Sequence, residues 1–293
     1  MDNYLWAIYA LISALSMALM FLASEYYKQS GVGFLMIARS LTATVLLPFV
    51  FFVDWPTEPL FYLYGAIPFI LFPIADILLF RISAQYGAGI ITRFMPLTAI
   101  LIFFIWLVID PDTWQSYINN PFIAIAIILC LGAIIFCASF LRSCQVSRTA
   151  FKIFLPALFL ASIATLAGKL AMDTTEATSA SLVNLFVGSF IGIAVYGVLY
   201  KIIPSVKAGF SMTQATVKAG IISGIFSTLL IYFANLSYDL VSNPAYTTAV
   251  SFSSAIWMLI LYKLIGRQDN ARILPGLGIV FFAAILVLLS AMI

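Results

Sequence analysis

Ten runs of mostly apolar residues, separated by short polar breaks, divide the chain: 5–25, 32–53, 61–81, 87–109, 121–141, 151–172, 180–200, 218–238, 245–263 and 273–292. A helix needs about 20 such residues to cross the hydrocarbon core of a bilayer, so each run reads as a membrane span. The pattern predicts an all-α, polytopic membrane protein with ten transmembrane helices. Connections between the runs are too short to hold an extramembrane domain. Met1-Asp2-Asn3 supplies no basic n-region, so the first run is read as a span and not as a signal peptide.

The chain also repeats itself weakly. Leu22-Ala23-Ser24-Glu25 in span one resembles Leu166-Ala167-Gly168-Lys169 in span six, and Ile105-Trp106 in span four resembles Ile256-Trp257 in span nine. This predicts a first five-helix repeat over 1–141, a linker over 142–150 and a second five-helix repeat over 151–293. An odd number of spans per repeat makes the second half enter from the opposite side. The halves are therefore expected to be inverted, an arrangement common in transporters, whose sites lie near the midplane between the repeats.

Composition agrees with lipid as the main solvent. Of 293 residues, 64% are hydrophobic and 9% charged, against about 45–50% and about 25% in soluble domains. The chain contains no histidine, which excludes His-ligated metals and His-assisted nucleophiles. No catalytic, metal or cofactor site is expected. No GxxxxGK[ST] loop occurs, so ATP is not the direct energy source. The net charge of +3 is small and dispersed, and nucleic acid is not expected as a partner. Cys130, Cys137 and Cys144 are seven residues apart on one apolar run, beyond disulfide reach on a helix.

The basic residues fall to one side. Lys28, Arg81, Arg142, Arg148, Lys152, Lys201, Lys207, Lys218, Lys263, Arg267 and Arg272 flank the ends of the odd spans, which is 11 of the 14. The opposite connections hold Asp54, Glu58, Asp110, Asp112, Asp173, Glu176 and Asp239. By the positive-inside rule both termini face away from the cytoplasm, and the membrane is read as a bacterial inner (plasma) membrane.

Ten short-looped helices in two inverted halves resemble the drug/metabolite transporter superfamily, in its ten-helix exporter-type (EamA-like) branch. Ala38-Arg39-Ser40 in span two resembles that family's arginine-bearing second helix. Ala84-Gln85-Tyr86-Gly87 leading to Met95-Pro96-Leu97 resembles its fourth-helix pattern. Two departures stand beside these matches: Ser251 lies near where a family proline would be expected, and the orientation is opposite to that usual in the branch.

Three basic residues, Arg39, Arg93 and Lys169, lie inside the spans, where a charge costs about 2.5–3.5 kcal/mol at the helix centre. Asp76 and Arg93 reach matching depths of roughly 8–9 Å on the hairpin of spans three and four, so a pair between them is expected, as a salt bridge or as a gate. Arg39, roughly 12 Å deep, suits a carboxylate or phosphate held bidentately, or else pairs with Glu25. Lys169 lies near the outer end of span six, and snorkelling to the interface is expected. Glu25 and Asp76 are the carboxylates through which any proton coupling must run.

Pro73 and Pro96 interrupt spans three and four and free the carbonyls of Phe69 and Thr92, marking a cavity edge, a hinge or a packed kink. Asn184, Asn235 and Tyr246 lead the neutral polar residues of the second half, with Thr247, Thr248 and several serines as helix-packing glue. Gly188/Gly192 and Gly220/Gly224 read as close-packing pairs. Trp106 and Trp257 are the aromatic candidates to line a central cavity or fill the core.

The function expected from these residues is secondary transport of a small organic metabolite, an amino acid or similar carboxylate-bearing solute, by alternating access. A lipid or lipid-headgroup translocase on the same fold is the alternative, and a membrane-embedded enzyme using Asp76 or a serine the second. The expected partners are a small-molecule substrate and membrane lipid, with the protein a monomer or homodimer.

Overall fold

The computed structural model describes residues 4–86, 96–140, 148–208, 210–266 and 273–292. Every apolar run contains helix within those residues, and no strand occurs among them. The helices are α1 (Leu5–Tyr27), α2 (Val32–Leu46), α3 (Pro59–Tyr86), α4 (Pro96–Ile109), α5 (Pro111–Asn119), α6 (Pro121–Phe140) and α7 (Arg148–Met172). They continue with α8 (Ala177–Ile202), a short α9 (Pro204–Ala208), α10 (Gln214–Asp239), α11 (Pro244–Ser251), α12 (Ser254–Leu264) and α13 (Ile273–Ser290).

Seven of these stretches are long and apolar enough to cross a membrane, the seventh being Pro244–Leu264. The pair α4 and α5 makes an eighth if counted as one bent span, while Val32–Leu46 and Leu274–Ser290 are apolar but shorter. Large apolar side chains point away from the bundle: Phe122 is 87% exposed and Val108 84%. Such an outer surface requires an apolar solvent.

Local chemistry explains where runs and helices differ. The run 32–53 stays α-helical only to Leu46, followed by a 3₁₀ turn at Phe49–Phe51. Pro48 has no amide hydrogen to give the Thr44 carbonyl, so the α-helical ladder stops there. After α4 the chain turns through 101° at Asp110. Asp110 is extended, as the residue before a proline prefers, and its carboxylate accepts from the Asp112 amide to cap α5, with Pro111 in the first turn.

The run 245–263 is broken between α11 and α12, at Phe252 and Ser253, with no proline or glycine there. The Phe252 and Ser253 amides reach back three residues to Ala249 and Val250, so the ladder tightens and the next helix starts afresh. In contrast, Pro73 takes away the amide that the Phe69 carbonyl would accept from without ending the helix. Pro73 and Pro68 both lie inside a continuous α3, flanked by α7 and α8. Pro96 is the first residue of α4; Thr92 and Arg93 lie outside the described residues.

The helices pair across the chain. α1 lies along α10, and α3 along α7; α2 packs on both α8 and α10, and α3 also on α8. α4 meets α7 and α11, α1 meets α11 and α12, and α6 pairs with α13. Glycines set the closest approaches. A Cβ at Gly224 would lie 2.9 Å from the Ala38 carbonyl oxygen, and one at Gly220 would lie 2.7 Å from Ile37 Cβ. These small-residue pairs serve contacts inside the chain, bringing α10 against α2.

Candidate substrate cavity

Within the bundle is a cavity of about 150 Å³, bounded by α1, α2, α3, α4, α7, α8, α10, α11 and the α11–α12 break. A cavity of this size holds about five waters or one benzene-sized molecule. Its wall is mostly apolar, with Met17, Phe69, Phe72, Leu230 and Phe252 contributing large surfaces. Among the described residues, its charged lining is Arg39 and Asp76.

Arg39 projects from α2 with its side chain 7% exposed. Its Nη2 is 3.7 Å from Asp76 Oδ2, and the guanidinium carbon is 5.5 Å from the centre of the Phe69 ring. Gly192 of α8 leaves room beside the Arg39 stem, and Gly188 one turn earlier leaves room for the Phe69 ring. A Cβ at Gly188 would collide with Phe69, whose ring lies beneath the guanidinium, whereas one at Gly192 would make only ordinary contact with the Arg39 stem. Tyr196, on the same helix, is fully buried and its hydroxyl donates to Asp76 Oδ2 at 2.9 Å.

Two buried nitrogens on this lining lack partners: Arg39 Nη1 and Asn235 Nδ2. Buried donors are normally satisfied, so a pair of unfilled ones marks a place where an acceptor belongs. Asn184 also lines the cavity, folded over Gly65, where a Cβ would collide with it. Thr98, Thr165, Tyr238, Thr248 and Ser251 add neutral polar groups. The arrangement can therefore hold a small, mainly apolar molecule by an acidic end.

The remaining candidates are placed elsewhere. The expected Asp76–Arg93 pair involves Arg93, which lies outside the described residues; among those residues Asp76 is engaged by Arg39 and Tyr196. Arg39 pairs with Asp76 and not with Glu25, whose carboxylate accepts from the Tyr262 hydroxyl. Lys169 reaches past the end of its helix to Asp173. It is 5% exposed, its Nζ is 2.5 Å from Asp173 Oδ1, and it lies 5.9 Å from the Trp106 ring. Burial pushes the Asp173 carboxyl above its ordinary pKa, with Lys169 opposing that shift.

Trp106 and Trp257 are both absent from the cavity wall. Trp106 Nε1 donates to the Ser242 carbonyl at 2.7 Å, which Thr113 also contacts at 3.3 Å. Trp257 packs into the apolar core beside Met258. Tyr246 is also in the core, its hydroxyl bonded to that of Tyr117 and its ring against Trp6. Pro73 is not on the wall, whereas Pro68 is.

Several lining or supporting residues carry little sequence signal. Tyr196 is one aromatic among many, although a phenol within an apolar span needs a hydrogen-bond partner. Phe69, Pro68 and Ser227 have no such cue. Neither a known family model nor a curated protein sequence matches this chain.

Proposed function

We infer that the chain is a secondary transporter that moves a small organic metabolite, an amino acid or similar carboxylate-bearing solute, across the membrane by alternating access. The observation that carries this reading is the cavity within the bundle, lined by Arg39 and Asn235, each with a buried nitrogen that has no partner. A solute carboxylate would accept from both, and the apolar wall would take the rest of the molecule. Charge-assisted hydrogen bonds of this kind are about twice as strong as neutral ones, and more so away from water.

The pairing of helices supports ten spans in two inverted halves. Exchanging each helix for its counterpart turns the α1–α10 contact into α7–α3, and the α2–α10 contact into α8–α3. The α2–α8, α4–α11 and α6–α13 contacts map onto themselves. A two-fold-related pair of five-helix units has this property. The broken α11–α12 stretch beside the cavity fits the discontinuous helices that border transporter sites. On this reading the chain is an exporter-type drug/metabolite transporter in a bacterial inner membrane, with the Lys/Arg-rich ends cytoplasmic.

Ligand-dependent thermal stability tests the reading. Purified protein would be heated with amino acids, monocarboxylates, nucleosides, organic cations and lipid headgroups. A ligand at 100 times its dissociation constant adds about 2.7 kcal/mol. The account expects stabilisation by a carboxylate, lost in Arg39→Gln. Stabilisation by lipid alone would transfer the assignment to lipid translocation.

A further inference from the structure

Resting on that carboxylate site, we propose that the cavity couples solute to a proton. Asp76 takes up one proton as the solute carboxylate takes over Arg39, and the two cross together.

The geometry of the pair is the starting point. A charge-assisted N–H···O bond is about 2.7–2.9 Å long, yet Arg39 Nη2 stands 3.7 Å from Asp76 Oδ2. That same oxygen already accepts from the Tyr196 hydroxyl. Asp76 Oδ1 has no hydrogen bond or ion pair among the described residues, and Arg39 Nη1 has no partner. Arg39 therefore keeps a donor and Asp76 an acceptor that no described residue fills, and both residues line the cavity.

Charge counting gives those two groups a purpose. Among the described residues, the empty site holds one positive and one negative charge, Arg39 and Asp76. A solute carboxylate bound to Arg39 would leave the buried site with a net charge of minus one, which is unfavourable in a low dielectric. A proton on Asp76 Oδ1 removes that excess. The proton comes from water on the entry side as an O–H bond forms. It returns to water on the exit side when the solute leaves and Arg39 reverts to Asp76. The site is neutral both empty and loaded, so the moving step carries no net charge.

Among the described residues, the charged and titratable groups near Asp76 leave it as the group to protonate. From α2 comes Arg39 and from α8 Tyr196, with Tyr200 and Lys201 further along that helix. α7 carries Lys169, engaged by Asp173, and α1 carries Glu25, engaged by Tyr262. On α3 itself Arg81 is exposed. Tyr238 of α10 lines the cavity beside Thr165 and Thr248.

The test uses three probes of one shape: isocaproate and α-ketoisocaproate, which are plain carboxylates, and leucine, which brings its own cation. Their affinities for the full-length protein would be measured from about pH 6 to about pH 8. The two plain carboxylates should bind about tenfold more tightly per unit fall in pH within the one-proton window. Asp76→Asn should bind them with no pH dependence. Tyr196→Phe should keep the dependence and move it to higher pH, because the carboxylate loses a donor to its charged form.

A flat pH profile in the wild type, or the same slope in Asp76→Asn, overturns the coupling. So does binding of leucine with exclusion of both plain carboxylates. If binding is pH-independent but lost in Arg39→Gln, the carboxylate site stands and the proton step falls. If no carboxylate binds, both fall.

Discussion

Arg39 is held as much by shape as by charge. Its stem runs past Gly192, its guanidinium lies over Phe69, and Asp76 approaches one of its nitrogens. Removing the arginine would leave Asp76 buried with only Tyr196 to support its charge. Breaking a buried pair from one side typically costs about 3–5 kcal/mol, whereas removing both charges costs far less. Arg39→Gln should therefore melt well below the wild type, and the double variant Arg39→Gln/Asp76→Asn should melt above Arg39→Gln. Thermal unfolding in detergent checks this; a double variant no more stable than the single would mean that the pair is not coupled.

The same residues show what a sequence can reveal at this scale. Arg39 stands out because a guanidinium inside an apolar run needs a reason. Its partner does not, because α2 and α3 are brought together by packing on α8 and not by proximity along the chain. Depth matching on one hairpin points to Arg93, which lies outside the described residues. For Lys169 a usable cue was present: Asp173 follows four residues later, the spacing of a helical ion pair. That pair, with Trp106 beside it, buries the ammonium at the end of α7.

Among the helices, run positions were legible and their interruptions less so. Apolar length is a summed property, so it survives local detail, and helix is found in every run. The bend at Asp110-Pro111 follows from local backbone chemistry. The break at Phe252-Ser253 has no proline or glycine to announce it, and Pro73, which should announce one, lies within unbroken helix.

Glycine substitutions separate packing from helix propensity. Gly224→Ala forces a methyl against the α2 backbone at Ala38 and should cost about 1–3 kcal/mol, as overpacking does. Gly197→Ala, in α8, meets nothing within 4 Å and should be neutral or stabilising by up to about 1 kcal/mol. Melting temperatures of the two variants compare them directly. Equal effects would contradict the close α2–α10 contact.

For the whole molecule, charge and packing point the same way. Lys169, Asp173, Asp110 and Asp239 lie within electrostatic reach of one another at one end of the bundle. Glu25 and Tyr262 meet near Lys28 and Lys263, residues of the basic set. The account places the acidic end outside the cytoplasm, and a C-terminal tag should be removed by protease added to cells with a permeabilised outer membrane. A protected tag would reverse the orientation. It would leave the cavity and its lining residues unchanged.

The central claim is that Arg39 anchors a carboxylate in a site opening alternately to each side. Counterflow tests it most directly: vesicles loaded with unlabelled isocaproate and leucine, diluted into trace labelled solute, and compared with protein-free vesicles. The account predicts a transient accumulation of label that requires the internal solute and disappears in Arg39→Gln. Label entry that ignores internal solute, or that survives in Arg39→Gln, would contradict it.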